Sequence, residues 1–131
     1  GIPTLDYAML GRWIGHMPRG TFVHARIAAA RPVTGERPLG YAAHYAIGIA
    51  FAVVLLLVAG PDWSHAPTIW LPLAVGLATI AAPWLVMQPG MGAGFAGSRT
   101  PSPTATRLRN LGTHAVYGLG LYLAALAIAA A

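Results

Sequence analysis

Three blocks of this 131-residue chain contain no Asp, Glu, Lys or Arg: Pro38–Pro61, Trp63–Ser98 and Asn110–Ala131. A hydrocarbon core about 30 Å thick is crossed by about 20 apolar residues in a helix. Each block is long enough to supply one crossing. Leu39–Gly60 fits the first, with Pro38 suited to an opening helical turn and Gly60-Pro61 as a stop. Thr68–Gln88 fits the second, with Pro72 and Pro83 inside it, and Leu111–Ala131 fits the third. The expected fold is all-α: a multipass transmembrane helical bundle with three spans in residues 38–131, preceded by a short interfacial segment in residues 1–37. Composition closes off the soluble alternative. Only 8% of residues are charged and 56% are hydrophobic, against about 25% charged in a soluble domain.

The charges that remain are informative because of where they fall. All eight basic residues are Arg, five within residues 1–37 and three within 89–110. The Pro61–His65 connection and the C-terminal end carry none. The positive-inside rule therefore predicts residues 1–37 and 89–110 on the cytoplasmic side, with the 61–67 turn and the C-terminus on the other face. Trp63 and Trp70 suit the outer boundary, and Tyr41, Tyr45 and Trp84 the inner one. Arg without Lys, amid abundant Ala, Gly and Pro, is the composition of a GC-rich bacterial genome, so the expected compartment is a bacterial inner membrane. The net charge of +5 brings no base-stacking or recognition motif with it, so nucleic acid is not an expected partner. With no Cys, disulfides, thiolate metal sites and a Cys nucleophile are excluded. The chain opens on Gly1 with no signal-peptide pattern, and an upstream portion is expected to be missing.

Within residues 1–37, Thr4 is a candidate cap for a helix running to about His16, with Leu5, Met9 and Trp13 on one side. Thr21 is a candidate cap for a second, carrying Phe22, Val23 and Ile27. Such segments would lie on the inner leaflet with Arg12, Arg19 and Arg26 near lipid phosphates; an irregular loop with scattered Arg is the competing reading. Asp6 and Glu36 are expected to pair with Arg12 or Arg37.

The polar residues of the spans mark where a site would lie. His44 and His114 fall near the cytoplasmic start of the first and third spans, and Gln88 closes the second at the same side, with Tyr45 and Tyr117 nearby. If the helices pack, a polar cluster at one depth is expected, because an unpaired polar group in hydrocarbon costs several kcal/mol. Helix-to-helix hydrogen bonding that fixes packing is the economical reading. A proton relay or substrate site is the functional one. Two His without a carboxylate or Cys in the spans make too thin a ligand set for a metal, and no metal or other cofactor is expected.

Gly92-Ala93-Gly94-Phe95-Ala96-Gly97 matches G-x-G-x-x-G, but that pattern means dinucleotide binding only between a strand and a helix. Here it follows a span, and an ordinary Gly-rich connection packed closely on helices is preferred over a loop whose amides and Arg99 meet an anion. Gly48, Gly76, Gly112, Gly118 and Gly120 are expected to allow close helix contact. No Ser nucleophile with a base, and no carboxylate pair, supports an enzyme.

Several strings together resemble the signature of a small, uncharacterised family of bacterial integral-membrane proteins, defined only as a domain of unknown function. They are Gly11-Arg12-Trp13-Ile14-Gly15-His16-Met17-Pro18-Arg19-Gly20, Gly40-Tyr41-Ala42-Ala43-His44-Tyr45-Ala46-Ile47-Gly48, Gln88-Pro89-Gly90-Met91-Gly92-Ala93-Gly94 with Ser98-Arg99-Thr100-Pro101, and His114 with Tyr117-Gly118-Leu119-Gly120-Leu121-Tyr122. The resemblance covers essentially the whole chain. It implies four spans, the first lying ahead of the segment matching Gly1-Ile2-Pro3, and it implies no activity or substrate. Two functions follow as expectations. One is a small transport or permeation component whose inner-boundary site uses His44, Gln88, His114 and the Gly90–Arg99 loop. The other is a non-catalytic lipid-binding protein or membrane partner docking through its Arg-rich segment onto anionic headgroups or another membrane protein. A membrane-embedded enzyme acting on lipid is a third. Gly- and Ala-rich helices are also compatible with a homo-oligomer.

Overall fold

The computed structural model describes residues 6–131. Four helices organise them: α1 (Tyr7–His16), α2 (Glu36–Ala59), α3 (Trp70–Met91) and α4 (Pro103–Ala129). The last three, of 24, 22 and 27 residues, are long and apolar enough to cross a membrane. At 1.5 Å per residue they measure roughly 33 to 40 Å. No strand occurs among the described residues, so the G-x-G-x-x-G match has no strand-to-helix context.

Most large apolar side chains point outward. Leu57 on α2 is 78% exposed, Trp70 on α3 76% and Ile128 on α4 75%. An apolar sheath around a thin core is the inverse of a water-soluble bundle and suits lipid as solvent.

The helices meet where side chains are absent. α1 crosses α2 at Gly11 and Gly40: a Cβ on Gly11 would overlap the Glu36 carbonyl, and one on Gly40 would overlap the Tyr7 carbonyl. α3 crosses α4 at Gly76 and Gly118, where a Cβ on Gly76 would lie 2.7 Å from Gly118 Cα. Backbones approaching this closely maximise van der Waals contact, the attraction left when the solvent is as apolar as the side chains. Gly48, Gly112 and Gly120, also expected at contacts, face open space instead.

One sequence expectation changes, one falls outside the described residues, and one helix is longer than its apolar run. Thr4 and Leu5 lie outside the described residues; Asp6 caps α1, its Oδ1 accepting from Ala8 N at 2.9 Å. The helix expected after Thr21 does not form. Residues 21–25 run without helical structure, and a single 3-10 turn, Ile27–Ala29, follows. The reason is tertiary: Trp13 Nε1 donates to Phe22 O at 2.8 Å and His24 N donates to Gly90 O at 2.8 Å, so these backbone groups bond across the chain rather than along it. Finally, α4 begins eight residues before Leu111. Pro103 suits the first turn, and Arg107 and Arg109 belong to the same helix as the apolar run.

α1 does not lie free on a surface. Leu10 and Trp13 are buried with Ile27, packed by Met9, Met87 and Met91 among others. Arg12 fastens this assembly. It is 8% exposed, and its Nε and Nη2 donate to the two carboxylate oxygens of Glu36 at 2.8 and 2.7 Å. Its Nη1 lies 3.3–3.5 Å from the carbonyls of Ile27, Ala28 and Ala30. The hydrogen bond to Glu36 raises the guanidinium above its ordinary range; burial opposes this, and the charges of Glu36 and Asp6 reinforce it.

Candidate functional site

Four polar residues of α4 lie along one stripe. Thr106, Asn110, His114 and Tyr117 recur at spacings of four, four and three, so they share a face. Each meets a different partner. Thr106 is buried beside Gly97 and exchanges a hydrogen bond with Thr100 at 3.1 Å. Asn110 Oδ1 accepts from Trp84 Nε1 at 3.1 Å and from Gln88 Nε2 at 2.9 Å. Gln88 is buried, and its Oε1 has no hydrogen-bond partner among the described residues.

His114 meets a break in α3, and Pro83 explains the break. Without an N–H, Pro83 cannot bond the Thr79 carbonyl, which accepts from Ala82 N at 3.1 Å instead. Just before it, Ile80 N turns to Leu77 O at 3.1 Å, leaving the Gly76 carbonyl without its helical donor. Residues Ala82–Met87 then wind as a wider π-helix. Side chains satisfy the released carbonyl. Thr79 Oγ1 donates to Gly76 O at 2.6 Å. His114 Nδ1 lies 2.8 Å from Thr79 Oγ1 and 3.3 Å from Gly76 O. With the Thr79 proton on Gly76, its oxygen can only accept from His114, so the proton of a neutral His114 sits on Nδ1.

Tyr117 turns toward α2, where its hydroxyl donates to Gly48 O at 2.6 Å. The two bonded residues line an open groove of about 320 Å³ between α2 and α4. His44, Tyr45 and Tyr117 line it with the apolar Ile49, Ala52 and Leu121. Tyr7 stacks on Tyr41 at 4.2 Å and meets the edge of His44 at 5.1 Å.

The five sequence candidates are thus distributed over three places. His44, Tyr45 and Tyr117 share the groove. His114 is bonded to the α3 break, and Gln88 to Asn110. The arginines divide as well: Arg12 is engaged inside the protein, while Arg19, Arg26 and Arg99 are exposed. The Gly-rich segment packs closely. Gly90 lies under Trp13, whose indole would be 2.8 Å from an added Cβ, and Gly92 takes φ +91° against the carbonyls of His24 and Ala25. Sequence reasoning passed over Thr79 and Asn110. Their signals were present: Thr79 stands four residues before Pro83, and Asn110 stands four before His114. Among the described residues no three of His, Cys, Asp and Glu converge into a chelating group.

Residues 1–128 match the family described as a protein of unknown function, DUF2938. No curated protein and no solved structure matches the chain.

Proposed function

The chain belongs to the DUF2938 family, and from that premise we propose that it is an integral protein of a bacterial inner membrane that takes a lipid-like amphiphile into the groove between α2 and α4. The observation that carries this reading is the make-up of the groove. It lies open between two helices whose large apolar side chains are mostly exposed. His44 and Tyr45 offer polar contacts, and Ile49, Ala52 and Leu121 offer an apolar track. Its volume is at the lower end of small-molecule sites, which suits one chain segment or a small amphiphile. The Arg distribution supports placing the Arg-rich end on the cytoplasmic side, so the polar end of the groove lies toward the inner boundary.

A second reading, a small transport or permeation component, draws on the break in α3. Interrupted helices mark substrate sites in transporters, and the break brings Thr79 and His114 together at membrane depth.

The test fills the groove. A Cβ on Gly48 meets nothing within 4 Å, so Gly48→Leu extends into open space without displacing a helix contact. A fluorescent fatty acid, titrated against purified protein in detergent, is expected to bind the wild type and to lose at least tenfold in affinity to Gly48→Leu, and less to His44→Phe. Equal binding by the folded Gly48→Leu protein overturns the groove reading. If Gly48→Leu binds normally while Thr79→Val abolishes a flux in proteoliposomes, the transport reading stands in its place.

A further inference from the structure

We propose that the segment from Arg19 to Arg31 is a membrane-surface anchor that recognises anionic phospholipid headgroups, with Phe22 and Val23 as its insertion point. This rests on the membrane reading above and uses a different part of the molecule from the groove. Gly20, at φ +77°, turns the chain out of the end of α1. The next residues are fixed rather than trailing. Trp13 Nε1 holds the Phe22 carbonyl, His24 N holds the Gly90 carbonyl, and the carbonyls of His24 and Ala25 lie against Gly92. Gly90 and Gly92 stand at the end of α3, the same end at which α2 begins and α4 follows. The segment is therefore held at the boundary of the apolar sheath.

What it presents there is mixed in a specific way. Phe22 is 57% exposed and Val23 72% exposed, although both belong to types that prefer burial. Arg19, Arg26 and Arg31 are exposed around them. The acids nearby do not neutralise these arginines: Glu36 is paired with Arg12, and Asp6 caps α1. Apolar tips flanked by unneutralised guanidinium groups match a layer of phosphodiesters lying over acyl chains. Arg suits that partner, because its planar fork presents parallel donors to phosphate oxygens. The attraction amounts to roughly fivefold in affinity per arginine near the surface and declines with salt.

The chain has no Cys, so Val23→Cys takes one environment-sensitive fluorophore, such as NBD. The labelled full chain is reconstituted in nanodiscs of phosphatidylcholine alone or with phosphatidylglycerol. Expected are a blue-shifted emission and quenching by shallow brominated lipid in the anionic discs, both reduced by high salt. Competition of the two lipids for detergent-purified protein, read by native mass spectrometry, is expected to favour phosphatidylglycerol at least tenfold. Arg19→Gln/Arg26→Gln/Arg31→Gln should reduce that preference to near unity, and Arg26→Gln alone should reduce it severalfold if the triple variant fails to fold. Emission independent of lipid charge, or a preference retained by the folded variants, overturns the proposal. So does a label that responds to an added acidic protein and not to the lipid. Failure of the chain to co-elute with nanodiscs would instead overturn the membrane reading.

Discussion

Gly76 on α3 and Gly118 on α4 meet backbone to backbone: a Cβ on Gly76 would come within 2.7 Å of Gly118 Cα, and one on Gly118 within 2.6 Å of the Pro72 carbonyl oxygen. The obstructing atoms are main chain, so neither can swing away. Gly118→Ala is expected to part the helices and to cost about 1–3 kcal/mol, the usual scale for overpacking. Gly112 and Gly120 lie on the same helix and face open space. Gly112→Ala and Gly120→Ala should therefore leave stability unchanged or slightly raised. Thermal unfolding in detergent, scored across the three variants, checks the contrast. Equal loss at all three positions would mean that Gly118 is valued for its conformational freedom and not for the contact.

The Arg12–Glu36 pair ties α1, the 27–30 turn and the start of α2 into one unit. Arg12→Lys keeps the charge and loses the fork that reaches both carboxylate oxygens and the three carbonyls. Arg12→Ala leaves the Glu36 carboxylate without its principal partner and the carbonyls of Ile27, Ala28 and Ala30 without the guanidinium they face. The expected order of stability is wild type, then Arg12→Lys, then Arg12→Ala, with the last several degrees lower in melting temperature. Limited proteolysis should cut the 21–31 segment fastest in Arg12→Ala. Equal proteolysis of all three would show that Trp13 and Gly90 hold the segment without Arg12.

Much of this architecture is legible in the sequence because helices able to cross a membrane obey a simple constraint. Their backbone must bond to itself, so their length and lack of charge announce them. That logic finds three helices long and apolar enough to cross a membrane, and is silent on the turns of α4 that precede the apolar run and carry Arg107 and Arg109. The same simplicity hides partners. His44 and His114 look equivalent by depth, yet one lines a groove beside α1 while the other reaches into a helix break. Rotation about each helix axis decides this, and hydropathy carries no information on it when every face is apolar. The Gly-rich segment was legible as a close-packing element, but what packs on it, Trp13 and the backbone of His24 and Ala25, comes from a part of the chain more than sixty residues away.

The Thr79–His114 contact makes a prediction about protons. Thr79 donates to the Gly76 carbonyl and so must accept from His114. In protein labelled with 15N at histidine and held in lipid, the neutral His114 ring should show its proton on Nδ1. Thr79→Val removes the nearer acceptor while keeping the side-chain shape, leaving the Nδ1 proton only the Gly76 carbonyl at 3.3 Å, and should weaken the preference for Nδ1. Removing one buried hydrogen-bond partner costs about 1–3 kcal/mol, so the melting temperature should fall too. Thr79→Ser retains the oxygen and should preserve the tautomer. A proton found on Nε2 in the wild type would mean that Thr79 donates to His114 and that the Gly76 carbonyl is satisfied in some other way.

The two ends of α3 can be assigned to opposite faces by labelling. The Asp62–Ser64 turn precedes α3 and carries no Arg, while Ser98 and Arg99 follow it on the Arg-rich side. A helix of 22 residues reaches roughly 33 Å, enough to separate the two by a whole hydrocarbon core. His65→Cys and Ser98→Cys, both at exposed positions of a chain that has no other Cys, provide the probes. In intact cells a membrane-impermeant maleimide should label position 65 and spare position 98. In inverted vesicles the pattern should reverse. Labelling of both positions from one side would mean that α3 does not cross, and the apolar sheath would then need another explanation, with burial against further copies of the chain the first to examine.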